Sequence, residues 1–285
     1  MKFNYKKVRT LQEALDILRE SNESTGILAG GTDLLVMIQE KLISPAMVLD
    51  ISGLDELREI EELDDGRIRL GALVTHGRIA ESALLEEKAI PLVEACTEVG
   101  SPQIRNLGTI GGNLVMASPS GDSLPALYVL GAEIVLSSTE GERVLPIEDF
   151  LIGVKKSVIR PDELLVAVIF PGMLPEDRGF FRKLGQRKAL AISKVSTAAV
   201  ISFGDGVIAS SRIALGAVAT TVIRTPRTES FLAGRALTPE VISEAAGICS
   251  EESRAITDIR SNAAYRDEMA GLLLSRGLEE IAAGS

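Results

Sequence analysis

The sequence contains no tryptophan, one histidine and two cysteines, and aromatic residues make up only 4% of it. So few aromatic rings argue against a base-stacking platform for single-stranded nucleic acid. Because His76 is the only histidine, this chain by itself forms neither a histidine-based triad nor a multi-histidine metal site. Cys96 and Cys249 stand alone without Cys-x-x-Cys spacing, so the sequence indicates no metal or iron–sulfur site.

Positive charge is also in the minority, since the formal net charge is −10. A surface that binds nucleic acid needs clustered Lys and Arg, so this class of function is disfavoured. No apolar run reaches the ~18 residues of a membrane span. Lysines occur in residues 1–7 without an apolar stretch behind them, so we expect no signal peptide. With two isolated thiols, the expectation is a reduced, cytoplasmic protein.

The chain has 285 residues, of which 46% are apolar and 25% charged, an ordinary globular balance with room for two domains. The Pro- and Gly-rich residues 171–177 are the best linker candidate. The second part has strands followed by helices, which predicts an α+β domain with helices on one face of its sheet. Predicted helices cover residues 11–20, 34–41, 75–85, 86–99, 123–130, 227–233, 239–249 and 258–274. Predicted strands cover residues 47–51, 133–138, 164–170, 194–203 and 207–218, and residues 101–106 are expected to be irregular.

Two glycine pairs stand out, in Ala29-Gly30-Gly31-Thr32-Asp33 and in Thr109-Ile110-Gly111-Gly112-Asn113. Paired glycines allow positive φ angles and a close approach of the backbone to a ligand. At a helix start such a turn presents unpaired N–H groups to phosphate, and the Thr and Asn side chains add hydrogen bonds. We expect the two turns to hold the two phosphates of one dinucleotide from opposite sides. The alternative is that both are merely tight turns, since a lone glycine-rich match is a weak signal. Neither the G-x-G-x-x-G nor the P-loop pattern is present, so any dinucleotide site here is of another kind.

Both glycine segments resemble the signature loops of the FAD-binding subunit of molybdenum hydroxylases. This family includes xanthine dehydrogenase and aerobic carbon monoxide dehydrogenase, and the chain is most similar to the medium subunit of the latter. The resemblance covers nearly the whole chain. The cysteine-bearing loop of the aromatic acyl-CoA reductase branch is absent. Further matching segments are residues 50–52, 71–76, 118–122, 161–165, 187–195 and 215–217.

The resemblance implies a fold, a cofactor and partners. The fold is an α+β FAD-binding domain of the PCMH or vanillyl-alcohol-oxidase type in two parts, over residues 1–174. A smaller α+β domain of the carbon monoxide dehydrogenase flavoprotein type follows over residues 175–285. The implied cofactor is FAD, with no catalytic side chain and no metal ligand in this chain. The implied activity is electron transfer within an oxidoreductase complex. Electrons come from a 2Fe–2S small subunit beside a molybdopterin-binding large subunit, and go to NAD, a quinone or oxygen.

The resemblance also assigns residues to the cofactor. Residues of the first segment wrap the pyrophosphate and ribityl: Ile27, Leu28, Ala29, Gly30, Gly31, Thr32, Asp33 and Leu34. Residues of the second segment hold the other side of the diphosphate: Thr109, Ile110, Gly111, Gly112 and Asn113. Val99 lies along the cofactor, Asp122 bonds one of its hydroxyls, Leu165 packs on its flavin or adenine side, and Lys194 reaches toward the isoalloxazine.

Other interpretations stay open at this point. Without the resemblance, Lys194 is an exposed lysine at a strand start. His76 is a first-turn helix residue with no catalytic role. A scaffold that has lost FAD and a free-standing flavin oxidoreductase are alternative functions. The glycine, threonine and asparagine residues of both segments argue against the scaffold.

Overall fold

The computed structural model describes residues 3–21, 24–187 and 190–284. Residues 1–2 of the N-terminus considered above and residues 188–189 of one matching segment lie outside the described residues. In the described ranges, no helix has the length and apolar character needed to cross a membrane. The helices are α1 (Leu11–Glu20), α2 (Leu34–Gln39), α3 (His76–Ala80), α4 (Ala83–Lys88), α5 (Ile90–Thr97), α6 (Pro102–Leu107), α7 (Ile110–Met116), α8 (Ser123–Leu130), α9 (Ile147–Phe150), α10 (Pro226–Leu232), α11 (Pro239–Ser253) and α12 (Ala263–Ala283).

The strands form four sheets. They are β1 (Asn4–Lys7), β2 (Thr25–Leu28), β3 (Met47–Asp50), β4 (Ile60–Glu62), β5 (Arg67–Gly71), β6 (Glu133–Ser138), β7 (Gly141–Pro146), β8 (Leu151–Gly153), β9 (Lys156–Ser157), β10 (Leu164–Pro171), β11 (Asp177–Leu184), β12 (Val195–Gly204), β13 (Val207–Gly216) and β14 (Ile223–Arg224).

The N-terminal part begins with a small parallel sheet in the order β1-β3-β2. Helix α1 connects β1 to β2, and its bounds agree with the predicted helix. The hydroxyl of Thr10 accepts the N–H of Glu13 at 3.2 Å and caps the helix. Ala14, Leu15 and Leu18 are buried at helical spacing, so one face of α1 packs into the core beside this sheet.

A five-stranded antiparallel sheet follows, in the order β4-β5-β10-β6-β7. Its central strand β10 is apolar throughout because both of its faces are covered. Val168 and Phe170 join a core formed with helices α3, α4, α5, α7, α8 and α9, whereas Val166 packs toward the small parallel sheet. A bulge between Leu165 and Ala167 shifts the register near the start of β10.

The C-terminal part is an antiparallel sheet in the order β11-β12-β13-β14. Its own helices α10, α11 and α12 pack with one face, so the α+β class is confirmed. The other face lies on α5 and α8 of the N-terminal part. Phe180 and Phe181 are adjacent on β11 and enter the two different cores. One face of the C-terminal sheet therefore shares a core with the N-terminal part, and the other face forms a separate core with its own helices.

Three local predictions were wrong. Residues 101–106 are not irregular, because α6 starts at Pro102 after Ser101, whose hydroxyl accepts the N–H of Ile104 at 3.3 Å. The helix predicted over residues 75–85 breaks after Ala80, since Ser82 caps a separate helix. The last helix starts after Asn262, which caps it, and runs on to Ala283.

Candidate functional site

A cleft with a volume of about 420 Å³ lies between the small parallel sheet and helices α6 and α7. The end of β2, the start of α2 and the first residues of β10 also line it. A cavity of this size is in the range of small-ligand sites. The predicted site residues that line it are Ile27, Ala29, Gly30, Gly31, Thr32, Asp33, Leu34, Val99, Thr109, Gly111, Gly112, Asn113 and Leu165.

The two glycine segments meet at this cleft. A methyl group on Gly30 would overlap the carbonyl oxygen of Leu107, which lies two residues before the second segment. Gly31 has a φ of +73°, a conformation that favours glycine. The first segment thus runs in backbone contact with the residues that lead into the second, and only glycine allows that approach at position 30.

The second segment is not a free turn. Thr109 is the N-cap of α7, and the glycine pair forms the first turn of this helix. Its N–H groups are already bonded within the protein, so the expectation of unpaired, outward N–H groups was wrong here. The bonds run from Ile110 to the Val74 carbonyl at 2.9 Å, from Gly111 to the Ala72 carbonyl at 3.0 Å, from Gly112 to Thr109 Oγ1 at 3.1 Å and from Asn113 to the Thr109 carbonyl at 3.0 Å.

The first segment has the opposite property. The backbone N–H groups of residues 30–34 donate to no atom of the described chain. The Thr32 hydroxyl likewise has no partner among the described residues. These groups line the cleft and are half-buried or exposed, so they are the donors that an anionic ligand would meet.

The two glycines of α7 have different surroundings. A methyl group on Gly111 would lie 2.8 Å from both Cβ and the carbonyl oxygen of Ala72, so this glycine permits the helix to pack against the turn that follows β5. Gly112 is exposed, and a methyl group there would meet only Thr109 Oγ1, at 3.0 Å. Gly112 is therefore the glycine of the pair that leaves room in the cleft.

The cleft offers neutral donors rather than cations. Among the described lining residues there is no Lys or Arg, and the titratable ones are Asp33, His76 and Glu163. Arg143 donates to Glu163 at 2.6 Å and holds the pKa of this carboxyl below its usual range. Burial lowers the pKa of His76 to about 4, so its imidazole is neutral at pH 7.

Four predicted residues do not line the cleft. Ile110 is fully buried in the core beneath α7, and Leu28 lies at the end of β2 outside the lining. The Lys194 side chain is half-buried and forms no ion pair with the described residues. Asp122 is buried, and its carboxylate accepts hydrogen bonds from Lys183 Nζ and Ser193 Oγ, both at 2.6 Å.

Sequence reasoning missed Lys183. It lies on β11 on the same side as Phe181, which enters the core shared with the N-terminal part. Its Nζ also donates to the carbonyl of Glu98 at 3.0 Å, next to the lining residue Val99. The available signal was its position two residues after Phe181, because residues two apart on a strand share a face. The pairing with Asp122 depends on contacts between residues 61 positions apart.

The segment of residues 118–122 joins the two parts of the protein. The Pro119 carbonyl accepts the N–H of Ala217 at 2.8 Å. Arg260 donates to Ser120 Oγ at 2.8 Å. Asp122 adds its ion pair with Lys183. The structure thus places this matching segment at the junction, whereas the two glycine segments form the cleft.

Comparisons with known proteins agree with this architecture. Residues 1–173 match the family model of the FAD binding domain in molybdopterin dehydrogenase. Residues 180–281 match that of the CO dehydrogenase flavoprotein C-terminal domain.

Similar curated proteins match along most of their length. The nicotinate dehydrogenase FAD-subunit of Eubacterium barkeri is 32% identical, over 93% of this chain and 91% of that protein. The carbon monoxide dehydrogenase medium chain of Hydrogenophaga pseudoflava is 30% identical, over 97% and 96%. Among solved structures, a chain of reconstituted CO dehydrogenase from Oligotropha carboxidovorans superposes with a TM-score of 0.94 at 28% identity, over 100% of this chain and 99% of that one.

Proposed function

This chain belongs to the FAD-binding subunits of the molybdopterin dehydrogenase family, and we propose that it is the electron-transfer subunit of a multi-chain hydroxylase or dehydrogenase. Its partners are a 2Fe–2S small subunit and a molybdopterin-binding large subunit. Electrons pass from the 2Fe–2S centres through this chain to an external acceptor such as NAD, a quinone or oxygen. The names of the relatives, medium chain and FAD-subunit, support an assembly with further chains.

One observation carries the position of the cofactor: the N–H groups of residues 30–34 have no acceptor in the described chain and line the cleft. Oriented amides of this kind suit phosphate oxygens. The empty space beside Gly112 and the free hydroxyl of Thr32 fit the same group. We therefore assign the FAD diphosphate to the cleft beside the first glycine segment. The wall formed by Val99 and Leu165 takes an apolar part of the cofactor.

In this proposal the protein supplies binding and environment. FAD, when bound, supplies the one- and two-electron chemistry that no amino-acid side chain has. Gly30 and Gly31 let the backbone present its amides, and Thr32 adds a hydroxyl donor. Glu163 is held as a carboxylate by Arg143 and cannot accept a further proton near neutral pH, since its pKa is lowered. The imidazole of His76 is neutral near pH 7, because burial lowers its pKa.

The proposal is tested by native mass spectrometry of the complex purified through a tag on this chain. We expect one assembly that contains this chain, a smaller and a larger partner, and the mass of one FAD per copy of this chain. Absorption in the flavin bands before and after denaturation identifies the cofactor independently.

Two other results would overturn the proposal in different ways. A yellow chain that purifies alone, with FAD and its own reductase activity, would indicate a free-standing flavin oxidoreductase. A colourless chain that takes up no added FAD would indicate a scaffold. A colourless chain would also contradict the assignment of the FAD diphosphate to the cleft.

A further inference from the structure

His76 connects the buried core to the cleft through the two edges of its ring. Its Nδ1 lies 3.4 Å from the Sγ of Cys96, which is fully buried. The opposite edge lies close to Gly108, which directly precedes the second segment, because a methyl group on Gly108 would be 3.3 Å from His76 Cδ2. The same methyl group would be 3.5 Å from Thr32 Oγ1, so this edge of the ring is close to the first segment.

The second ring nitrogen, Nε2, makes no hydrogen bond within the described chain. The residue as a whole is 3% exposed. The buried side-chain N and O atoms that lack a partner in the described chain are Thr197 Oγ1, Thr225 Oγ1, Ser253 Oγ and Arg266 Nε. Nε2 is not among them, so it keeps access to solvent, and the cleft that His76 lines provides that access.

The protons of this pair can be assigned. Burial raises the pKa of the Cys96 thiol, which therefore keeps its proton. Among the described residues this S–H has no acceptor other than His76 Nδ1. A neutral imidazole that accepts at Nδ1 carries its own proton on Nε2. The ring then presents an N–H donor to the cleft.

We propose that His76 is a cofactor-binding residue that donates a hydrogen bond from Nε2 to the FAD diphosphate, with its tautomer set by Cys96. This inference rests on the proposed position of the diphosphate in the cleft. It adds a side-chain donor, close to Thr32, to the free amides of the first segment. It also gives a role to a buried histidine in a cleft whose described lining has no Lys or Arg.

The direct test is nitrogen NMR of the full chain labelled with ¹⁵N-histidine, which reports a single imidazole because His76 is the only histidine. We expect the proton on Nε2 at neutral pH. Addition of FAD is expected to shift the Nε2–H signal more than that of Nδ1. A proton on Nδ1 would overturn the inference, and so would FAD uptake that leaves both ring nitrogens unchanged.

Two variants test the donor by FAD titration. In His76→Gln the side-chain amide reaches the position of Nε2, so we expect FAD affinity within about threefold of the wild type. In His76→Asn the shorter amide stays on the Cys96 side, and we expect a loss of about tenfold or more in FAD affinity.

Equal FAD affinities for both variants and the wild type would overturn the inference. Wild-type protein that binds no FAD overturns this inference and the proposed function together, whereas FAD uptake with an unperturbed imidazole overturns this inference alone.

Discussion

Burial decides the charge of the one histidine in this protein. His76 has a pKa of about 4 in place of its ordinary 6.5, because desolvation disfavours its cation and Arg105 adds a smaller effect of the same sign. Its neighbour Cys96 is equally buried and keeps its proton. A single sequence position cannot reveal this, since the shift arises from the helices α3, α5 and α6 that pack around the ring.

The lowered pKa predicts a pH-dependent stability. Between about pH 6.5 and 4 the unfolded chain binds a proton at His76 that the folded chain does not, so stability falls as the pH falls through this window. The full effect is about 3 kcal/mol. Urea unfolding of the wild type and His76→Gln at several pH values measures it. The difference between the two should change across this window, and parallel pH curves would contradict the assignment.

Helix α7 shows how adjacent glycines serve different purposes. Gly111 faces Ala72 in the turn after β5 and lets the helix pack there, whereas Gly112 lines the cleft and is exposed. The first-turn amides of this helix are all bonded inside the protein. The helix therefore contributes shape to the proposed site, and the free amides come from the loop between β2 and α2.

Substitutions to valine separate these two roles. Gly111→Val is expected to cost about 2 kcal/mol or more, since its side chain overlaps Ala72. It should lose FAD because the fold is damaged, not because the ligand is blocked. Gly112→Val should keep a melting temperature near that of the wild type and bind FAD at least about tenfold more weakly. Thermal unfolding and FAD titration of both variants measure this. Full FAD binding by Gly112→Val would remove the diphosphate from this part of the cleft.

The two parts of the protein are held together by an apolar interface and a buried ion pair. The sheet β11-β12-β13-β14 is covered by its own helices on one face and by α5 and α8 on the other. Asp122 and Lys183 join across this interface, and Ser193 completes the bonds to the carboxylate. Burial raises the pKa of the Asp122 carboxyl, against the opposing effects of Lys183 and Ser193. Lys183 and Ser193 therefore stabilise the charged form of Asp122 in its buried position.

A double-mutant cycle measures this junction. Asp122→Asn leaves the Lys183 cation without its partner, and we expect a loss of about 3–5 kcal/mol in the free energy of unfolding. The pair Asp122→Asn with Lys183→Met should lose less than the sum of the single changes, by about 1–3 kcal/mol. Lys194→Met is the matched control, with a change within about 0.5 kcal/mol. Additive effects in urea unfolding would show that the pair does not couple the two parts.

The amino-acid sequence by itself determined the local elements and the family. Helix α1 follows from the capping hydroxyl of Thr10 and the spacing of its apolar residues, and the hairpin between β12 and β13 follows from Gly204-Asp205-Gly206. These features depend on residues close together in the chain. The two glycine segments were found for the same reason, because glycine pairs with neighbouring Thr and Asn are visible locally.

Only the tertiary structure decided which groups of those segments are free. The N–H of Gly111 bonds the Ala72 carbonyl, and Asp122 bonds Lys183 rather than facing the cleft. Whether a donor is already satisfied depends on partners far away in the chain, and local spacing carries no information about them. The two faces of β11 illustrate the same limit, since nothing in the local sequence shows that Phe180 and Phe181 enter two different cores.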